Sequence, residues 1–303
     1  MNDLDRNPSG PPPVHVPVLL REVLRHLELQ PGLVVVDGTV GAGGHSQEIL
    51  KQIGPDGTLI GLDRDPMMLD IARSRLNAGN CHLKQASYAQ LREILAELRI
   101  DAVDRILLDL GLSSDQLADD ARGFSFRASG TLDMRFDTSQ GEPAWKLLEQ
   151  ISQSDLAWLL DHYGEEPQAR KVARTIVDFR KSHPIRTVSD LLDAVALAMP
   201  GRMERNAPRH PATRVFQGLR IAVNQELVHV EQALREVLHP CLKPGGILAI
   251  ISFHSLEDRL VKHSFRASDR WQLLTTKPVV ASIAEQRINP RSRTAKLRVV
   301  KKL

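Results

Sequence analysis

Three observations predict a doubly wound parallel α/β sheet with an inserted all-helical domain. Apolar strand-like runs alternate with amphipathic helical stretches from residue 14 to residue 112. A glycine-rich turn follows the first of these runs. The alternation then stops, and between residues 113 and 212 only helical spacing recurs before a long amphipathic stretch and a fifth apolar run. The expected organisation is a disordered N-terminus over residues 1–13, a sheet domain built from 14–112 plus 213–303, and a helical substrate-recognition insert over 113–212.

The N-terminal residues are polar, with Pro8, Pro11, Pro12 and Pro13, a composition that cannot bury a core. From Val16 to Leu29, Leu19, Leu20, Val23, Leu24 and Leu27 recur at helical spacing, and Pro31-Gly32 ends the element. Leu33 to Val36 is a continuous apolar run, three of its members β-branched, as in a strand covered on both faces. It ends at Asp37-Gly38-Thr39-Val40-Gly41-Ala42-Gly43-Gly44-His45, after which Ser46 to Lys51 reads as helix. A second strand runs from Thr58 to Asp63, a helix starts at Pro66, a short strand covers Cys81 to Gln85, and Tyr88 to Leu98 is helical. The fourth strand is Asp104 to Leu110.

Residues 111–140 have no clean period and read as one long loop, and loops of that length inside compact domains are usually functional. Helices are expected at Ser154–Tyr163, Gln168–Lys181 and Val188–Met199, the last with Thr187 and Asp190 in capping-box spacing. Leu219, Val223, Leu227, Val230, Leu234, Val237 and Cys241 mark one long helix leading into the fifth strand, Leu242 to Ile251. A helix over Ser255–Arg266 and strands at Trp271–Thr275 and Leu297–Val300 complete the chain.

Composition is that of an ordinary globular protein, with 42% hydrophobic and 25% charged residues and a net charge of +3. No apolar run reaches the length of a membrane span, and no signal-peptide core is present. Two cysteines are too few for a disulfide framework or a metal knuckle, so a cytoplasmic protein without a structural metal is expected. Positive charge gathers at the C-terminus, where Arg287, Arg291, Arg293, Lys296, Arg298, Lys301 and Lys302 occur without an acid. Arg202, Arg205, Arg209, His210, Arg214 and Arg220 form a second basic cluster suited to a phosphate backbone.

The glycine turn lies where open α/β sheets bind nucleotide-like ligands. Asp63, at the end of the second strand, is placed to accept hydrogen bonds from a ribose. The glycines read Asp-x-x-x-Gly-x-Gly rather than Gly-x-Gly-x-x-Gly, and Asp37 would repel a dinucleotide pyrophosphate while welcoming a cationic, amino-acid-bearing cofactor. Leu242-Lys243-Pro244-Gly245-Gly246 with its strand resembles the fifth strand of S-adenosylmethionine (AdoMet) methyltransferases. At the end of the fourth strand Asp109, Ser113 and Ser114 are the candidates to orient an acceptor amine and take its proton. Phe124 and Phe126, with Arg135 nearby, are candidates to stack a flipped base and hold its phosphate, or else to seal the joint between domains. His254, after the fifth strand, is a candidate proton acceptor or substrate contact, against a purely structural role. Arg214, Arg291 and Arg293 are further candidate substrate contacts. Cys81 starts a strand and Cys241 ends a helix, so neither is placed as a nucleophile, and a covalent thiolate mechanism is disfavoured.

Many blocks in order resemble the bacterial RsmH (MraW) methyltransferases. They include His15-Val16-Pro17-Val18-Leu19-Leu20, Asp37-Gly38-Thr39 with Gly41 and Gly43-Gly44-His45-Ser46, and Asp63-Arg64-Asp65-Pro66. Arg122-Gly123-Phe124-Ser125-Phe126, Leu132-Asp133-Met134-Arg135, His210-Pro211-Ala212-Thr213-Arg214, Ser252 to Asp258 and Asn289-Pro290-Arg291-Ser292-Arg293 continue the set. The resemblance implies a class I, Rossmann-like AdoMet-methyltransferase fold and AdoMet-dependent N4-methylation of a cytidine in the decoding region of small-subunit ribosomal RNA. It implies AdoMet contacts at Gly43, Gly44, His45, Asp63, Tyr88, Asp109 and Gln116, to which the residue reading adds Asp37 and Gly41. Tyr88 stands where the family often has Phe, and Asp115 where Pro is common. The implied partner is ribosomal RNA or the assembling 30S subunit; a homodimer stays open. The rival expectations are an AdoMet-binding ribosome-assembly factor, or the same apparatus acting on DNA or protein.

Overall fold

The computed structural model describes residues 17–126, 128–200, 210–267 and 269–303. The disorder expected for residues 1–13, and Arg202, Arg205 and Arg209 of the second basic cluster, lie outside the described residues. Among the described residues, one sheet of seven strands has the order β3-β2-β1-β4-β5-β7-β6. Its strands are β1 (Val34–Asp37), β2 (Thr58–Asp63), β3 (Cys81–Gln85), β4 (Val103–Asp109), β5 (Leu242–Ser252), β6 (Trp271–Leu273) and β7 (Lys296–Lys302). The first five are parallel, and β7 slots antiparallel between β5 and β6. This is the Rossmann-like sheet of class I AdoMet-dependent methyltransferases, with its crevice at the β1/β4 switch point.

The period of two along each strand divides its apolar residues between the two faces. Val35, Leu59, Leu107, Ala249 and Val299 pack with Val23 and Leu27 of α1 (Leu20–Leu27) and Ile49 and Ile53 of α2 (Gly44–Ile53). Their neighbours Val36, Ile60, Ile106, Leu108, Leu248 and Ile250 face the opposite way, toward α4 (Leu91–Glu97) and the helices around β5. Between β2 and β3 runs α3 (Pro66–Arg75), capped by Asp65, whose carboxylate accepts the Met67 N–H at 3.0 Å. Proline at N1 and an aspartate at the cap are the residues a helix start favours.

After β4 the chain builds a helical unit with its own core. It comprises α5 (Ser114–Ala118), α6 (Ala144–Gln150), α7 (Gln153–His162), α8 (Ala169–Phe179), α9 (Val188–Ala198) and α10 (Thr213–Asn224). Leu148, Leu156, Leu160, Val172, Ile176, Leu191 and Val195 form that core, and Val215, Phe216 and Leu219 of α10 belong to it. Three expectations change here. The loop over residues 111–140 holds α5 and a 3-10 turn at Asp120–Arg122, because Ser113 and Asp119 each cap the turn that follows. α6 has no counterpart in the sequence reading, since seven residues span too few turns to show a period.

The single helix expected through Leu219–Cys241 is broken. Gln225 takes a left-handed φ of 52°, separating α10 from α11 (Glu226–Gln232), and a π-turn at Ala233–Val237 precedes α12 (Leu238–Cys241). Tertiary anchors set the break. Asn224 donates to the Met134 carbonyl at 2.7 Å and accepts the Phe136 N–H at 2.7 Å, while Arg64 donates to the Asn224 carbonyl at 2.6 Å. The chain finishes with α13 (Ser255–Arg266) and α14 (Ile283–Ile288) flanking β6 and β7. No helix among the described residues is long and apolar enough to cross a membrane.

Candidate active site

A crevice of about 980 Å³, counting its open mouth, lies across the carboxyl ends of β1, β2 and β4. Gly38, Thr39, Val40, Gly41 and Gly44 line it from the turn after β1, with Asp63 and Arg64 from β2, Tyr88, and Asp109 to Ser113 from β4. Gly38 is required by close approach: a Cβ there would sit 2.4 Å from Leu108 Cδ2 and 3.0 Å from Tyr88 Cβ. Gly43 does not line the crevice. It takes φ +85° as the N-cap of α2, and its missing side chain leaves room for Leu76.

Asp63 holds the turn in shape, one oxygen accepting the Gly41 N–H at 2.9 Å and the other the Asp65 N–H at 2.9 Å. Burial, together with Asp65 and Asp37 nearby, pushes its carboxyl up to about 6 although those two N–H groups oppose the rise. Hydroxyl donors from a ribose would satisfy its remaining lone pairs and favour the carboxylate. Asp37 is corrected. It was expected to meet the cationic end of a cofactor, but it is buried beneath the turn, accepting Ser46 Oγ at 2.7 Å and the Thr39 N–H at 3.2 Å. Its burial raises it above the usual carboxylate range, while His45 beside it is lowered by burial. His45 Nε2 donates to the Val18 carbonyl at 3.0 Å, turning Nδ1 toward Asp109 Oδ2 at 3.7 Å. Tyr88 lines the wall, and burial pushes its phenol far above the ordinary value.

Asp109 is the exceptional group. Thr39 Oγ1 accepts its N–H at 2.6 Å, which fixes the backbone, yet its Oδ1 is shielded and has no hydrogen-bond partner. Burial pushes its carboxyl up to about 7; Arg291 opposes the rise and Glu257 adds to it. An acceptor oxygen left bare inside a binding crevice calls for a donor from a ligand. Ser113 and Ser114 are already engaged. Ser113 Oγ accepts the Gln116 N–H at 3.0 Å and contacts Met68 Sδ at 3.1 Å, while Ser114 Oγ accepts from Arg291 at 2.7 Å. Gln116 returns to the Ser113 N–H at 2.9 Å and donates to Asp65 at 2.8 Å, so it braces the loop from below.

The remaining candidates separate. Phe124 is buried in the helical core, packed near Phe136, and lines a space beside the crevice rather than the crevice itself. Phe126 stacks on His210, with centroids 4.7 Å apart, and meets Phe216 edge-on. Arg135 forks onto Asp133, and Arg214 is exposed on α10. In the C-terminal basic run, Arg291 lines the crevice and Arg293 is exposed, but Lys296 and Arg298 both pair with Asp258 as part of the sheet. That part of the expected phosphate-binding tail is structural, because β7 is paired with β5 and its Lys296 and Arg298 are held by Asp258 of α13.

Two acidic residues that the sequence reading did not assign to the site, Glu226 and Glu257, line the crevice, Glu226 gripped by the Arg220 guanidinium at 2.9 and 3.0 Å. Although burial alone would raise Glu257, His254, the Phe253 N–H and Arg220 together hold it below the usual range. The spacing His254-Ser255-Leu256-Glu257 after an apolar strand is a helix-start signal that could have found it. Glu226, His254 and Glu257 bring one ligand-type atom each within 4.8 Å of one another. With Arg220 forked on Glu226 and backbone N–H groups on Glu257, the arrangement is an ion-pair network that closes the crevice floor.

The model of the MraW methylase family matches residues 13–303, almost the whole chain. The chain belongs to the MraW methylase family. Relatives named ribosomal RNA small subunit methyltransferase H include one from Trichlorobacter lovleyi, 47% identical, covering 95% of this chain and 98% of the relative. One from Magnetococcus marinus is 46% identical with 95% and 98% covered, and one from Dictyoglomus thermophilum 45% identical with 94% and 96% covered. As a methylase on a class I sheet, this MraW-family chain takes its methyl group from AdoMet. The crevice fits that donor: Asp63 faces it with lone pairs to spare, the glycine turn leaves the backbone open, and the bare Asp109 oxygen awaits a donor or a cation.

Proposed function

We propose that this methylase transfers the AdoMet methyl group to the exocyclic N4 of a cytidine in the decoding region of small-subunit ribosomal RNA. The relatives' names support the RNA class, and one structural observation supports the chemistry: the bare, buried Oδ1 of Asp109 in the crevice. When bound, AdoMet supplies an electrophilic methyl carbon. Asp109 holds the acceptor amine through an N–H···O bond, aligns its lone pair, and receives the proton released as the N–C bond forms. A carboxyl raised to about 7 is matched to that task near neutral pH. Thr39 fixes the Asp109 backbone, Arg291 partly counters its elevated affinity for protons, and the Ser113–Gln116 capping box holds the loop beside it. No covalent enzyme adduct is involved; burial pushes both Cys81 and Cys241 up to about 11, which keeps them protonated.

In this reading the helical insert over residues 113–212, with α10 packed into its core, recognises the RNA, exposed Arg214 and Arg293 contact phosphates, and the enzyme works in the cytoplasm on rRNA or the assembling 30S subunit. The deciding experiment is mass mapping of methylated nucleosides in small-subunit rRNA from cells with and without the protein. Loss of an N4-methyl mark on one cytidine is expected; an unchanged rRNA map would overturn the assignment.

A further inference from the structure

Beside the crevice lies a second chamber of about 610 Å³, counting its open mouth, walled by Phe124, Phe126, Phe216 and Phe253, with Gln217 and Arg220 among its polar residues. Leu112 lines both spaces and is part of the partition between them. On the crevice side stands Glu257. On the chamber side stands His254, nine-tenths buried, with its Nε2 3.1 Å from Glu257 Oε1. The contact is an ion pair off the hydrogen-bond line, so His254 Nε2 is charge-paired with Glu257 yet makes no aligned hydrogen bond. His254 Nδ1 accepts the Glu257 N–H as the cap of α13, which leaves the ring proton on Nε2. The partition therefore offers an N–H donor beside a carboxylate acceptor, and an aromatic slot adjoins them.

The geometry points to the chamber as the acceptor-base pocket, with His254 and Glu257 reading the Watson–Crick edge of cytosine. Cytosine presents the complement: an acceptor at N3 next to donor hydrogens on N4. With N3 on His254 Nε2–H and one N4 hydrogen on Glu257, the other N4 hydrogen and the lone pair face the crevice and Asp109. Uracil reverses the pattern, with N3–H meeting Nε2–H and O4 meeting the carboxylate, so it is rejected by two like-to-like contacts. A polar edge that leaves a wrong partner unpaired discriminates far better than shape. A purely apolar occupant would leave the His254 N–H unsatisfied, whereas a flipped base fills the slot by stacking and satisfies the edge. This rests on the cytidine reading above and names the residues that enforce it.

The test is fluorine NMR titration of the full chain, loaded with S-adenosylhomocysteine, with 5-fluorocytidine and 5-fluorouridine at millimolar concentration. The parent protein should perturb the cytidine signal and bind the uridine at least about tenfold more weakly. His254→Asn keeps a good helix cap but is too short to reach the base. It should melt earlier than the parent, because buried Glu257 loses its ion-pair partner, but still bind S-adenosylhomocysteine and lose the cytidine preference. Equal binding of both nucleosides by the parent, no perturbation of either, or a preference that survives in His254→Asn overturns the pocket. The rRNA mapping is a separate readout, so a cytidine mark with no base preference here would sink the pocket alone.

Discussion

Replacing Asp109 by Asn removes a carboxyl that the fold holds near 7 instead of its usual 3.8, mainly through burial. A raised acid binds its proton more tightly folded than unfolded, so its contribution to stability falls as pH climbs from about 4 through 7 and stays low above that. At ~1.4 kcal/mol per unit, a gap of roughly three units sets a ceiling of about 4 kcal/mol. The side chain is 23% accessible, and solvent screening reduces the expected penalty to about 2 kcal/mol. Asparagine keeps the shape and never ionises. Urea unfolding of cofactor-free protein at pH 5, 6, 7 and 8 should show Asp109→Asn gaining on the parent as pH rises, with the largest lead at pH 8. Methyl transfer should fall by about a hundredfold or more, because the proton acceptor is gone. Stability curves that stay parallel across pH, or a variant less stable at pH 8, would refute the claim that Asp109 is held as a strained acid in the free enzyme.

Arg291→Ala removes the charge that opposes the raised Asp109 carboxyl, so the acidic limb of the pH–rate profile should move to higher pH; exposed Arg293→Ala should leave that profile alone and lower the salt slope of RNA binding by about one. An unshifted profile in Arg291→Ala would argue that the guanidinium only braces Ser114. Asp63→Ala should weaken AdoMet binding by about tenfold or more in calorimetric titration, with no comparable NAD affinity in the parent, since Asp63 faces the crevice with lone pairs to spare. The folded Cys81→Ala/Cys241→Ala variant should still methylate and yield N4-methylcytidine; a 5-methylcytidine product would exclude direct displacement.

The local part of this protein was legible in its residues. Val34 to Asp37 with the glycine turn behind it could only be a covered strand ending at a ligand edge, and Thr187 with Asp190 marked the start of α9 correctly. Gly41, Gly44, His45, Asp63, Tyr88, Asp109 and Gln116 all reach the crevice because strand ends and the turns after them are set by short-range pattern and topology. Tertiary structure decided what depended on partners distant in sequence. The break at Gln225 is imposed by Arg64 and Asn224, some 160 positions apart, and no periodicity carries that information. Asp37 and Ser46 turn inward to each other, and Lys296 and Arg298 are bound by Asp258, so residue type alone could not say which charges face a ligand. Glu226 and Glu257 reach the crevice floor only when α10, α11 and α13 close around Arg220. A sequence states which groups exist and which element carries them; packing determines which of their lone pairs and protons are left over, and those leftovers are the site.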